Sequence, residues 1–182
     1  MNLLHDIEPG TKESVNAIIE VPKDSHNKYE IIKDTGLIRL DRANYSAAAY
    51  PFDYGFIPQT LWDDHDALDV IVLTTYPLQV GVLVEVRPVG VLHMIDSGDK
   101  DEKIITVPIH DNRWEKVREL EDVNPYTLRE IIDFFETYKK LKVKGKGADV
   151  EVEGFGGRAE AEAAFERARV MYIEANTTAG RK

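Results

Sequence analysis

The chain has 182 residues, 43% of them hydrophobic and 31% charged, and its formal net charge is −10. These values are typical of a globular protein with a sizeable core and predict a single domain over residues 1–182. The negative charge argues against a general binder of nucleic acid or of anionic membranes. The absence of cysteine excludes disulfides, thiol catalysis and cysteine-based zinc sites.

No segment of the sequence predicts export or membrane insertion. The N-terminal residues have neither the basic nor the apolar region of a signal peptide. No stretch approaches the roughly 20 apolar residues that a membrane span requires. We therefore expect a cytoplasmic protein with no membrane partner.

The first two-thirds of the chain is predicted to be mostly β-strand. The turn sequence 33–36 predicts a hairpin between two of the strands. Pro88 predicts an edge or a bend in the longest strand, because proline cannot donate to a strand ladder. The aromatic stretch 50–56 is interpreted as a loop. Apolar and β-branched runs predict strands over residues 15–21, 29–32, 37–40, 69–74, 82–94 and 104–107.

Two helices are predicted near the C-terminal end. A capping asparagine and a proline at 124–125 predict the start of the first, whose apolar residues recur at helical spacing as far as Tyr138. A short strand over 149–152 then leads to three glycines, and a second helix is predicted over 159–174. Residues 176–182 are expected to form a frayed tail. Many strands followed by two helices predict a β-barrel with helices packed outside it.

An acidic segment directly before the strand at 69–74 carries the strongest chemical signal. Asp64, Asp66 and Asp69 place three carboxylates within six residues. If they converge on one cavity, each like-charge contact near 4 Å costs about 4 kcal/mol at an effective dielectric of 20. Oxygen ligands without cysteine point to a hard divalent ion, magnesium first and manganese second.

Three other interpretations of this segment were considered. A solvated turn rich in aspartate is common and remains open. An EF-hand fails on spacing, because Asp69 and Thr75 stand where that loop needs glycine and glutamate. An Asp-x-Asp nucleophile expects the strand before the motif, whereas here the strand follows it.

A second acidic loop, which contains Asp96, Asp99, Asp101 and Glu102, lies between two predicted strands. If neighbouring strands present both acidic loops at the same end of the barrel, six or more carboxylates converge there. Two or more divalent ions would balance them, and two-metal sites serve phosphoryl transfer. The basic residues beside strands are, taken individually, best interpreted as members of surface ion pairs.

Together these segments resemble the family I inorganic pyrophosphatases, the soluble class of that enzyme. The family signature, Asp-x-Asp-Pro-hydrophobic-Asp, stands here from Asp64 to Asp69, with His65 and Ala67 as departures and Ser97 as a smaller one. The resemblance covers roughly residues 15–155. Its further pieces occur in family order and spacing: Ile19-Glu20-Val21-Pro22, Lys28-Tyr29-Glu30, Asp41-Arg42, Tyr50-Pro51 with Tyr54-Gly55, Arg87 to Leu92, Met94 with Asp96, and Phe134-Phe135 with Tyr138-Lys139.

The resemblance implies a mainly β fold with some α-structure, a distorted five-stranded OB-like β-barrel with two flanking helices. It implies hydrolysis of pyrophosphate to two orthophosphates by a metal-activated water. Several Mg²⁺ ions per subunit are expected, with Mn²⁺ or Zn²⁺ as substitutes and Ca²⁺ as an inhibitor. The implied assembly is a homohexamer, a dimer of trimers.

Roles for individual residues also follow from the resemblance alone. Asp66 would be the general base. The implied metal ligands are Asp64, Asp69 and Asp101, with Asp96 on a further ion and with Glu20 and Glu30 on waters or outer ions. The implied phosphate-binding residues are Lys28, Arg42, Tyr54, Tyr138, Lys139 and Lys103.

Three other classes of protein remain as alternatives at this stage. An OB-type module for oligonucleotides is disfavoured by the acidic loops and the negative charge. A calcium-binding structural protein is disfavoured by the EF-hand spacing. A related fold that has lost activity is the third, with His65 and Ala67 as its warning signs.

Overall fold

The computed structural model describes residues 1–142 and 150–179. Within these ranges the chain forms ten strands, two short 3₁₀ helices and two α-helices. The helices are α1 (Pro125–Thr137) and α2 (Arg158–Ala179). The strands are β1 (Gly10–Thr11), β2 (Ser14–Val21), β3 (Asn27–Ile31), β4 (Ile38–Ala43), β5 (Asp53–Phe56), β6 (Asp69–Val72), β7 (Leu83–Asp96), β8 (Asp99–Lys100), β9 (Lys103–Pro108) and β10 (Val150–Gly157).

Five strands close into a ring in the order β2, β5, β6, β9 and β7, because β7 also pairs with β2. All neighbours in the ring are antiparallel except β6 and β9, which are parallel. β1, β8 and β10 pair with members of the ring, whereas β3 and β4 form a separate hairpin. The predicted five-stranded OB-like barrel is confirmed as an irregular ring of five strands.

The parallel pairing of β6 and β9 decides where the chemistry lies. Asp69 and Lys103 open these two strands and stand opposite each other in the register. Because parallel strands start at the same end, the acidic loop before β6 and the acidic loop before β9 both lie at that end of the ring. The sequence-based condition for converging carboxylates is therefore met.

Two apolar layers pack on opposite faces of the ring strands, as strand alternation requires. On one face Val70 and Val72 pack towards Phe165 of α2. On the other face Ile71 joins a cluster that contains α1 and the aromatic residues after position 50. The Asn124 side chain accepts a hydrogen bond from Tyr126 N at 2.9 Å and caps α1, as predicted.

The predicted loop at 50–56 is wrong in part, because Asp53–Phe56 is a fully buried strand, β5. Large aromatic side chains fill the interior at this point. Tyr50 and Phe52 pack on Phe134 of α1, with ring centroids 4.6 and 5.6 Å apart. Tyr50, Phe52, Tyr54 and Phe56 alternate as strand residues do, but Pro51 and Gly55 between them favour a loop over a strand in the sequence.

The predicted C-terminal boundaries also need correction. The glycines expected after a short strand belong to β10, where Gly154, with φ of 129°, forms a bulge opposite β7. Asp149, the expected first residue of that strand, lies outside the described residues. The tail expected to be frayed from residue 176 is helical up to Ala179, since α2 continues that far. Residues 180–182 lie outside the described ranges.

Pro88 produces the predicted irregularity, since the register of β7 with β9 shifts between Pro88 and Gly90. No helix in the described parts of the chain has both the length and the apolar composition needed to cross a membrane.

Candidate active site

A cavity of about 480 Å³ opens at the end of the ring where β6 and β9 begin. The structure brings twelve of the thirteen predicted site residues to its walls. Only Arg42 is not among the side chains that line the cavity. The twelve are Glu20, Lys28, Glu30, Tyr54, Asp64, Asp66, Asp69, Asp96, Asp101, Lys103, Tyr138 and Lys139.

The elements supply these residues from all sides of the cavity. β2, β5, β6, β7 and β9 contribute from the ring, and the hairpin of β3 and β4 covers one side. Tyr138 and Lys139 follow the last turn of α1 and close the opposite side. Neighbours in the cavity are therefore far apart in sequence.

Lys103 lies at the centre of the cavity wall and is only 1% exposed. Its Nζ donates to Asp69 Oδ2 at 2.6 Å, to Asp101 Oδ1 at 2.7 Å and to Tyr54 Oη at 2.9 Å. Burial by itself would lower the pKa of Lys103, but the charges of Asp101 and Asp69 outweigh it and raise that pKa. The residue is therefore a permanent cation beneath two aspartates.

The acidic side chains are crowded and partly desolvated. Among the described residues, seven carboxylates and five basic side chains line the cavity. Burial, reinforced by the charge of Asp69, raises the pKa of Glu20 to about 8. Burial and the charges of Asp69 and Asp101 raise the pKa of Asp64 to about 6. The protein's own cations therefore leave part of this negative charge uncompensated.

The tyrosines of the cavity are held in their protonated form. Burial raises the pKa of Tyr54 and of Tyr138 well above the ordinary range. The Tyr54 hydroxyl donates to Asp69 Oδ2. At neutral pH both phenols are therefore protonated, and the Tyr54 proton is directed at a carboxylate.

The hairpin of β3 and β4 carries further cations, each already close to a carboxylate. Lys28 Nζ lies 3.6 Å from Asp41 Oδ2, and Arg42 pairs with the same Asp41. Arg42 stands directly opposite Lys28 in the register of the hairpin, and Lys28 is the member of this pair that lines the cavity. The Ile31 amide donates to Glu20 Oε1 at 2.6 Å and fastens the hairpin to β2.

Sequence reasoning missed several residues of this site. Lys33 Nζ lies 2.5 Å from Asp66 Oδ1 and donates to the His65 carbonyl at 2.8 Å. Arg39 pairs with Glu30 at 2.6 Å. Tyr50 was considered only as part of a loop. Alternation along the hairpin could have indicated Arg39, but the contact of a turn lysine with a distant loop leaves no sequence signal.

The chain was compared with known protein families and structures. The family model described as inorganic pyrophosphatase matches residues 17–173. The inorganic pyrophosphatase of Leifsonia xyli is 48% identical over 147 residues, which are 81% of this chain and 88% of that protein. The Haloferax volcanii inorganic pyrophosphatase is 41% identical over 176 residues, 96% and 98% of the two chains.

A solved structure agrees with these relatives. The crystal structure of inorganic pyrophosphatase from Thermus thermophilus is 44% identical, covers 95% of this chain and 99% of its own, and superposes with a TM-score of 0.91. Similarity of this extent spans both the ring and the loops that form the cavity. The chain therefore belongs to the family I inorganic pyrophosphatases.

Proposed function

We propose that the protein hydrolyses pyrophosphate with Mg²⁺ as its cofactor and with Asp66 as the general base. Family membership makes it an inorganic pyrophosphatase; the ion, the base and the roles of single residues are the proposal. The observation that carries it is the cavity in which seven carboxylates outnumber five basic side chains.

The donor set of the cavity fits hard divalent cations. Every acidic ligand is an oxygen donor, which suits Mg²⁺ first, then Mn²⁺, with Zn²⁺ as a substitute. Ca²⁺ would inhibit, because it prefers longer bonds and more ligands than Mg²⁺. Burial and neighbouring carboxylates raise the pKa of Glu20 and of Asp64, so a cation bound beside them would favour their charged forms.

The side chains do not form a closed coordination shell by themselves. In residues 1–142 and 150–179 no three acidic or histidine side chains are arranged to hold an ion. Lys103 instead bridges Asp69 and Asp101, and Lys139 contacts Asp96. A divalent ion would compete with these ammonium groups for the same carboxylate oxygens.

We assign the main ligand roles to Asp64, Asp69 and Asp101. Asp96 would serve a further ion, and Glu20 and Glu30 would hold waters or outer ions. When bound, Mg²⁺ supplies positive charge to an otherwise repelled anion and lowers the pKa of the attacking water.

We assign the role of proton acceptor to Asp66. Its side chain is 61% exposed, so solvent and substrate can reach it. Lys33 contacts only Oδ1. The second oxygen is then available to take the proton of the attacking water, provided that the loop brings it within hydrogen-bond reach.

The cations and phenols would bind the two phosphate groups and stabilise charge on the leaving phosphate. Lys28, Lys103 and Lys139 supply charge, and Tyr54 and Tyr138 supply donors that stay protonated. Arg42 would join them by exchanging Asp41 for a phosphate oxygen, a geometry that suits a guanidinium.

We also propose that the chain acts as one domain in a cytoplasmic homohexamer, a dimer of trimers. The exposed apolar residues Val80, Val82 and Leu83 are adjacent along the surface, which favours burial against another subunit.

The first prediction concerns the cofactor. Phosphate release from pyrophosphate should proceed with Mg²⁺ and fall by at least about a hundredfold in excess EDTA, while the circular dichroism spectrum stays unchanged. Tripolyphosphate and ATP serve as comparison substrates, and added Ca²⁺ should inhibit. Undiminished phosphate release in EDTA would rule out the proposed cofactor.

The second prediction concerns Asp66. Asp66→Asn should lower kcat by about 10²- to 10⁴-fold while calorimetric Mg²⁺ affinity changes little. The matched control is Asp63→Asn, because Asp63 lies in the same loop but pairs with Arg167 of α2 at 2.5 Å. Near-normal turnover in Asp66→Asn would remove Asp66 as the base.

The third prediction concerns the uncompensated charge. The pKa of Glu20 rises from 4.5 to about 8 on folding, so the folded state binds more protons between these pH values. The free energy of unfolding in EDTA should therefore fall as pH rises through this window. Glu20→Gln keeps an acceptor for the Ile31 amide and should remove this pH-dependent fall in the free energy of unfolding.

Urea unfolding in EDTA at pH 5 and pH 8 measures this effect. At pH 8 Glu20→Gln should be more stable than the parent by a few kcal/mol, on the order expected for a raised buried carboxyl. Glu121→Gln, at an exposed glutamate, is the control. Equal pH slopes for parent and Glu20→Gln would contradict the assignment.

The fourth prediction concerns assembly. Sedimentation velocity should give a mass six times the 20.6 kDa of one chain. A particle of one or two chains at micromolar concentration would refute the hexamer.

A further inference from the structure

A cluster of three ionisable side chains lies outside the cavity, on the opposite face of the sheet. His93 of β7 stands between two glutamates. Its Nδ1 lies 3.2 Å from Glu102 Oε1, and its Nε2 lies 3.4 Å from Glu160 Oε2 of α2. The imidazole thus joins the loop before β9 to the first turn of α2.

Gly156 of β10 provides the space in which this cluster is built. A Cβ atom at position 156 would lie 2.7 Å from His93 Nε2 and 2.7 Å from Glu160 Cδ. The Gly157 amide donates to Glu160 Oε1 at 3.2 Å and orients that carboxylate. The contact therefore depends on three elements, β7, β10 and α2.

The cluster holds a segment that the proposed function needs. Glu102 lies between Asp101 and Lys103, and alternation along an extended chain directs it away from the face that these two neighbours share. Its Oε2 is buried without a hydrogen-bond partner among the described residues. Its Oε1 is held by His93.

The backbone holds this segment on both sides of Glu102. The Asp101 amide donates to the Met94 carbonyl at 3.0 Å, and the ladder of β9 with β7 resumes only at Lys103 opposite Leu92. On the cavity side Lys103 also bonds Asp101 and Asp69, and the Glu102 side chain adds the attachment on the other side.

We infer that the cluster of His93, Glu102 and Glu160 is a positioning device that fixes residues 101–103 from behind, so that Asp101 and Lys103 keep their places in the cavity. His93 is a positioning residue and touches neither substrate nor ion. The inference rests on the proposed function in taking Asp101 as a metal ligand.

The geometry favours this role over a second metal site. Each imidazole nitrogen faces a carboxylate, so neither is directed at a common point with both glutamates. A ring with one carboxylate beside each nitrogen links its two partners instead of gathering them around an ion.

The test uses His93→Gln in the full-length protein. Hydrogen exchange of the amides in residues 99–106, measured without metal in EDTA, should become about tenfold faster. Calorimetric Mg²⁺ affinity should fall by about tenfold, the effect typical of losing a partner that orients a ligand. Turnover at saturating Mg²⁺ should stay within about twofold of the parent, because the catalytic groups are unchanged.

Two matched pairs of variants separate positioning from general damage. His110→Gln removes another histidine–glutamate contact, His110 Nε2 to Glu85 Oε2 at 3.0 Å, which is exposed and does not line the cavity. Gly156→Ala should reproduce His93→Gln by forcing His93 and Glu160 apart. Gly157→Ala is its control, because a Cβ there meets nothing within 4 Å.

Unchanged exchange at 99–106 in both His93→Gln and Gly156→Ala would overturn the inference, as would equal effects in the controls. Asp101→Asn separates this result from the proposed function. If Asp101→Asn weakens Mg²⁺ binding but His93→Gln does not, the coupling to the ion is refuted. If Asp101→Asn leaves Mg²⁺ affinity unchanged, the proposed ligand role fails, and exchange alone decides the positioning.

Discussion

Repulsion among carboxylates at one end of a closed ring is the constraint on which the rest of the structure depends. The parallel pairing of β6 with β9 brings both acidic loops to that end and sets Asp69 opposite Lys103. Lys103 meets two aspartates with a buried ammonium group. Such a group is stable only because its partners are close, since an unpaired buried charge costs several kcal/mol. The lysine and the aspartates therefore stabilise one another, whereas Glu20 and Asp64 form no ion pair among the described residues.

The hairpin of β3 and β4, outside the ring, supplies further positive charge to the carboxylates of the cavity. Its basic side chains pair with acidic groups of their own strands or of the facing loop, as Arg39 does with Glu30 and Lys33 with Asp66. These contacts are largely exposed and individually weak. In the proposed function, an anion that arrives with its own counter-ions would replace these contacts at small cost in free energy. Strong pairing at the buried centre and weak pairing at the rim thus divide the site into a fixed part and an exchangeable part.

Many elements of the fold and of the candidate site could be predicted from the sequence, because the patterns that indicate them are local. The acidic loops, the strand that follows each loop and the cap of α1 all lie within a few residues. Their convergence needed strand order, which periodicity does not contain, and it came from the resemblance. β5 was missed because Pro51 and Gly55 favour a loop, although the aromatic residues of the segment alternate. Lys33 was missed because its partner, Asp66, lies in another loop. His93 showed no ligand spacing, and only the fold brings Glu102 and Glu160 to its two nitrogens.

Reagents that acylate amines need a neutral nitrogen that solvent can reach, and Lys103 offers neither. It is 1% exposed, and Asp101 and Asp69 outweigh burial in raising its pKa. The side chain of Lys33, by contrast, is 53% exposed. Covalent labelling of amines would consequently modify the mouth of the cavity while sparing its centre. A spectroscopic reporter attached to Lys33 could follow ligands that enter the cavity without disturbing the ammonium group of Lys103.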